Sequence, residues 1–140
     1  MILMIDDEGD RIDNDIEWLR SSGYQVHLEQ DVDQALKFLE SHSPVIDGVI
    51  CDIMIPHGRT FSGQQTRDGL RTGVSLFELV RAKWPDLPFI FFTNSINQPL
   101  RRRFQEERAC AYLLKREHIG EQFIEEVRRL IPLKSGGGKN

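Results

Sequence analysis

Five short apolar runs, each followed by a stretch with helical periodicity, leave this chain few ways to fold. Ile2-Leu3-Met4-Ile5 opens it as a buried strand, and residues 2–6 read as the whole element. Residues 10–22 carry Ile12, Ile16 and Leu19 at helical spacing and stop at Gly23. Residues 24–29 alternate, with Tyr24, Val26 and Leu28 on one face. Asp31 is placed to cap a second helix whose inner face is Ala35, Leu36 and Leu39. Val45 to Ile53 reads as the third strand, and residues 74–84 as a helix packing Leu76, Leu79 and Val80. Pro88 to Phe92 is the fourth strand, and Pro99 to Arg108 the fourth helix. Ala111 to Leu114 is the fifth strand, and residues 118–131 the last helix, with Ile119, Phe123, Val127 and Leu130 inward.

Strict strand–helix alternation implies an α/β fold: a parallel sheet of five strands with helices on both faces. Right-handed crossovers make it doubly wound. Such sheets bind ligands outside the carboxyl ends of their strands. The residues at those ends should therefore converge. They are Asp6 and Asp7, Asp52, Thr93, and Lys115.

That set carries chemistry. An unpaired carboxylate is costly to bury at the end of an apolar strand, so Asp52 after Val49-Ile50-Cys51 needs a reason. Magnesium is a hard cation that prefers oxygen donors, often one or two carboxylates plus phosphate oxygens. Asp7 and Asp52 can supply the carboxylates, Asp6 can ligate directly or through water, and the Met54 backbone carbonyl adds an oxygen. A carboxylate can also attack phosphorus to form an acyl phosphate. Metal and Lys115 would neutralise charge on the transferred group, and Thr93 could donate a hydrogen bond to it. Asp6 and Asp7 could instead merely cap the first helix, but Asp52 and Lys115 would then stand unexplained.

Composition removes other classes. With 140 residues the chain is read as one domain. A net charge of −4 and a pI near 5.6 argue against nucleic-acid binding through bulk charge. No apolar run approaches the roughly 20 residues of a membrane helix, and no signal peptide precedes the first strand. Cys51 and Cys110 make neither a disulfide framework nor a zinc spacing, which fits a reducing cytoplasm. His27, His42, His57 and His118 lack metal-ligand spacing and read as scattered surface residues. Residues 133–140, with Gly136-Gly137-Gly138, read as a flexible tail or a cut linker.

Taken in order, Asp6-Asp7-Glu8, Asp52-Ile53-Met54-Ile55-Pro56, Thr93 and Tyr112-Leu113-Leu114-Lys115 resemble the receiver domain of two-component response regulators, CheY-like, over residues 1–132. The resemblance implies a flavodoxin-like (βα)5 fold with strand order 2-1-3-4-5. It implies that Asp52 accepts a phosphoryl group from a histidine kinase or phosphotransfer protein, with Asp6 and Asp7 organising Mg2+ (or Mn2+). Thr93 would move towards the phosphoryl group, Lys115 would pair with it, and Tyr112 would be the aromatic that changes rotamer. Output would pass to a downstream protein effector through the fourth helix, fifth strand and fifth helix, where Arg101, Arg102 and Arg103 stand. Nothing in this implies direct nucleic-acid binding or enzymatic action on a separate substrate.

The sequence also departs from that family. Receivers commonly carry a proline after the lysine, where Arg116 stands, a small residue where Asn94 stands, and a glycine where Arg108 stands. The glycine expected four residues after Pro56 is matched by Gly73 instead, so about a dozen residues are inserted over 57–72. Loops between strand and helix usually take about 2–6 residues. The insertion is either a surface loop or a lid or docking element using Arg59, Arg67 or Arg71. Two other functions compete with the phosphorylatable switch. A pseudo-receiver would keep the fold and bind partners without phosphorylation. A metal-dependent phosphohydrolase would use Asp52 as nucleophile, but Met54 occupies the position where such enzymes place a second acid.

Overall fold

The computed structural model describes residues 1–61 and 72–133. Five strands form a single parallel sheet in the order β2-β1-β3-β4-β5. They are β1 (Ile2–Ile5), β2 (Val26–Glu29), β3 (Gly48–Cys51), β4 (Phe89–Thr93) and β5 (Cys110–Leu114). The helices between and after them are α1 (Asp13–Ser21), α2 (Val32–His42), α3 (Thr72–Lys83), α4 (Gln98–Glu106) and α5 (Glu121–Leu130).

Side chains alternate across a strand, and here both faces are covered. Leu3 and Ile5 of β1, Val49 and Cys51 of β3, and Phe89 and Phe91 of β4 point to one side. There they meet Leu36 and Leu39 of α2, Leu76 and Phe77 of α3, and Phe104 of α4. Ile2, Met4, Ile50, Ile90 and Phe92 point to the other side, against Ile16 and Leu19 of α1 and Phe123 and Val127 of α5. This is why the central runs show no polar alternation in sequence. On the first side, Phe104 lies 4.4 Å from Phe91 and 5.1 Å from Phe77, ring centre to ring centre. Removing one such ring typically costs about 3–5 kcal/mol.

The ends of elements differ from the sequence reading for local reasons. The first helical stretch enters through a 3-10 turn, Gly9–Ile12, before α1 proper. The third strand, Gly48–Cys51, is shorter than Val45 to Ile53; at its start Val45 belongs to a 3-10 turn over Ser43–Val45 that contains Pro44. The last helix starts at Glu121, after Gly120 at φ +60. Ile119 therefore lies outside the helix and is 66% exposed, not inward as its spacing suggested. Asp31 does cap α2: its carboxylate accepts from the Asp33 and Gln34 amides at 2.7 and 3.0 Å.

The start of the insertion is docked. Gly58 turns the chain at φ +61, a conformation that favours glycine. The Asp33 carboxylate on α2 then accepts from the Arg59 amide at 2.8 Å, the Thr60 amide at 2.9 Å and the Thr60 hydroxyl. Phe61 is buried within the α2–α3 side of the core. At the far end of the insertion α3 begins tight against the turn that follows β3. The Gly73 amide donates to the Ile53 carbonyl at 3.1 Å, and a Cβ on Gly73 would sit 2.6 Å from the Ile53 Cα. Only glycine fits that approach.

Candidate functional site

The sheet brings four strand ends together through its own backbone. The Asp6 amide donates to Glu29 at 3.1 Å, the Asp52 amide to Ile5 at 3.0 Å, and the Lys115 amide to Thr93 at 2.9 Å. The residue following each strand is thus fixed by the ladder beneath it. Asp6, Asp52 and Thr93 are buried there, at 2%, 8% and 1% exposure.

Two carboxylates in so little solvent need a cation. Lys115 supplies it: its Nζ lies 2.8 Å from Asp6 Oδ2 and 3.4 Å from Asp52 Oδ2. The other oxygen of each acid is held by backbone. Asp6 Oδ1 accepts from the Glu8 amide at 2.8 Å, and Asp52 Oδ1 from the Met54 amide at 3.1 Å. Burial alone would lower the Lys115 pKa, but the hydrogen bond to Asp6 and the charges of Asp52 and Asp6 outweigh it, and the pKa is raised.

Asp7 is exposed beside this pair. Its carboxyl is pushed up by partial burial, then by the charges of Asp6 and Asp52. An acid that resists ionising next to two others marks a place where added positive charge is favoured. Oxygen donors from Asp6, Asp7, Asp52 and the Met54 carbonyl suit a hard divalent cation. Among the described residues, no group of three or more His, Cys, Asp or Glu side chains forms a metal cage by itself. A cation here would have to complete its shell with backbone, water or phosphoryl oxygens, as Mg2+ commonly does.

Thr93 and Tyr112 act on the loop after β4. The Thr93 hydroxyl oxygen accepts from the Ser95 amide at 3.1 Å, and the Tyr112 hydroxyl donates to the Ser95 carbonyl at 2.6 Å. Tyr112 is itself 2% exposed, and burial raises its phenol pKa. The Arg59 amide meets Asp33 on α2. Arg67 and Arg71 lie outside the described residues.

Three residues here carry no motif in the sequence. Asp15, in the first turn of α1, has its carboxyl pushed up to about 6, by burial first, with Asp6 raising and Lys115 lowering it. Its signal was faint: it flanks the apolar face that Ile12 and Ile16 define. Asp33 and Arg116 matter through partners distant in sequence, Arg59 and Thr60 for one and Asn94 for the other, which no spacing rule points to.

Comparison with known proteins decides the family. The model of the response regulator receiver domain matches residues 2–127. The chain belongs to that family. Solved receiver domains share its fold. The non-phosphorylated HemR receiver domain from Leptospira biflexa superposes with a TM-score of 0.73 at 24% identity, covering 96% of this chain and 95% of that one. The receiver domain of NtrX from Brucella abortus gives 0.73 at 21% identity, with 96% and 100% covered. Chemotaxis protein CheY4 from Vibrio cholerae gives 0.71 at 19%, with 92% and 96% covered. A search of curated proteins returned no match. The sheet order of this receiver domain, 2-1-3-4-5, is the one its motifs implied. Its place in the family is consistent with two-component signalling.

Proposed function

We propose that this receiver domain is a phosphorylatable switch whose acceptor is Asp52. The observation that carries the reading is the buried Asp52 carboxylate at the end of β3, with one oxygen fixed by the Met54 amide and the other facing the Lys115 ammonium. In the proposed reaction a carboxylate oxygen of Asp52 forms a bond to phosphorus while the phosphorus–nitrogen bond of a donor phosphohistidine breaks. The electron pair of that bond leaves with the imidazole. Lys115 stabilises negative charge on the transferred group, and the Thr93 hydroxyl hydrogen is free to turn towards a phosphoryl oxygen. Asp6, Asp7, Asp52 and the Met54 carbonyl would hold Mg2+, which when bound supplies further charge neutralisation.

The partners proposed are a histidine kinase or phosphotransfer protein upstream and a protein effector downstream. Output through α4, β5 and α5 is supported by a cavity of about 240 Å3 on that face, lined by Arg101, Tyr112, His118 and Arg129 among others. Among the described residues no helix is long and apolar enough to cross a membrane, and we take the cytoplasm as the working compartment. We read the chain as a switch and not as an enzyme acting on a separate substrate, since Met54 offers no second acid beside the acceptor.

Incubation with Mg2+ and acetyl phosphate, followed by intact mass, tests this. One added phosphoryl group is expected in the wild type and none in Asp52→Asn. A wild type that never gains the adduct would favour the pseudo-receiver, to which the departures at Arg116 and Asn94 point.

A further inference from the structure

Lys115, Arg116 and Glu117 are consecutive, and each reaches a different part of the molecule. Lys115 holds the buried acids. The Arg116 guanidinium donates through Nη2 to the Asn94 carbonyl at 2.7 Å, at the exposed surface. Glu117 accepts from Arg101 of α4 at 3.0 Å. One short stretch of chain therefore ties the acid cluster, the loop of residues 94–97, and the helix that loop feeds.

The loop's other holds lie on its inner side and at its junction with α4. Its Ser95 is gripped from inside, by Thr93 Oγ1 at the amide and by the Tyr112 hydroxyl at the carbonyl. Asn97 caps α4 by accepting from the Leu100 amide at 3.1 Å. Asn94 and Ile96 are exposed, Ile96 at 56%, so no burial anchors them. Any displacement of Thr93 pulls on Ser95 through their hydrogen bond, and Ser95 cannot travel without Asn94. The Arg116 guanidinium is the outer contact resisting that motion.

We propose that Arg116 is a positioning residue that holds the loop 94–97 in its resting place and so sets how readily Thr93 can turn to a ligand on Asp52. This rests on the phosphoacceptor reading. Arginine suits the task because its planar fork is charged at every working pH and fixes a carbonyl in direction as well as distance. Energetically the hold is modest. A hydrogen bond from a charged, exposed donor is worth a factor of roughly two to ten in an equilibrium, at about 1.4 kcal/mol per tenfold. That is the right size for a bias on a two-state element, which a ligand of ordinary differential affinity can overcome.

Four proteins test it: the wild type, Arg116→Ala, Arg116→Lys, and Arg102→Ala as a control that removes a positive charge from exposed α4. Amide hydrogen exchange without Mg2+ or phosphate reads the tie itself. The Asn94, Ser95 and Ile96 amides should exchange roughly two- to ten-fold faster in Arg116→Ala, fall between the two in Arg116→Lys, which keeps the charge without the fork, and be unchanged in Arg102→Ala. Titration with beryllofluoride and Mg2+, followed by tryptophan fluorescence or amide shifts, reads the gating. Arg116→Ala should bind about two- to ten-fold tighter, because less work is needed to release the loop.

Equal exchange in the wild type and Arg116→Ala overturns the tie. Faster exchange with unchanged beryllofluoride affinity overturns the gating. A wild type that takes no beryllofluoride overturns the phosphoacceptor reading instead, and the exchange data still decide whether Arg116 holds the loop.

Discussion

Replacing Lys115 by methionine keeps the length of the side chain and deletes its charge, which isolates what the ammonium contributes. At an effective dielectric of about 20, unit charges at the Asp6 separation of 2.8 Å attract by roughly 6 kcal/mol, and at the Asp52 separation of 3.4 Å by roughly 5 kcal/mol. Those are gross terms. Desolvation of three charged groups offsets most of them, and removing one partner of a buried pair typically costs about 3–5 kcal/mol because the other charge is stranded. Lys115 keeps some solvent contact, so we expect about 3 kcal/mol. For a domain of this size that is roughly 6–12 °C in Tm. The Lys115 pKa is raised above its ordinary 10.5, so its contribution is complete below that pH and is lost as pH rises through the folded-state value. At pH 7.5 the whole effect should be visible. It should shrink when Mg2+ is added at pH 7.5, because a bound cation replaces part of the missing charge. Thermal and urea unfolding by circular dichroism at pH 7.5, with EDTA or Mg2+, measure both. A Lys115→Met protein as stable as the wild type at pH 7.5 in EDTA would refute the view that this lysine compensates the acid pair.

Asp15→Asn should stabilise the protein. A folded-state pKa of about 6 against an ordinary 3.8 means ionisation opposes folding, so the cost is absent below the lower value and complete above the higher. The gain in urea unfolding should be larger at pH 7.5 than at pH 4.5, at most about 3 kcal/mol and less after solvent screening; a gain independent of pH would refute it. Asp33→Ala should free the start of the insertion. The Asp33 pKa is lowered, first by the Arg59 amide and then by the Thr60 hydroxyl, so the clasp holds above the ordinary 3.8 and is lost as pH falls through the lower folded value. Faster exchange of the Arg59 and Thr60 amides at pH 7, with little change in Tm, is the expected result.

Much of the fold was legible because it depends on repeated local patterns. The unbroken apolar runs at Ile2–Ile5 and Phe89–Phe92 mean burial on both faces, and the helical spacing of Phe123 and Val127 fixed one side of α5. Boundaries were less legible where one residue redirects the chain. The 3-10 turn that contains Pro44 takes Val45 out of β3, and Gly120 at φ +60 delays α5 and leaves Ile119 in solvent. The acids, Thr93 and Lys115 could be singled out because each sits at the end of a strand, and parallel strands present those ends on one edge.

By itself, then, the sequence determined the alternation, the two-faced sheet and the group of residues its carboxyl edge would gather. Periodicity and strand ends are properties of neighbours along the chain, so they can be read without coordinates. Tertiary structure alone decided how that group is wired: Lys115 nearer Asp6 than Asp52, Asp15 drawn into its field, Asp33 clasping the insertion, and Arg116 crossing to Asn94. The hydrogen bonds among them join residues 22 to 109 positions apart. Their geometry follows from where the packed helices and loops set each side chain, a quantity no local pattern encodes.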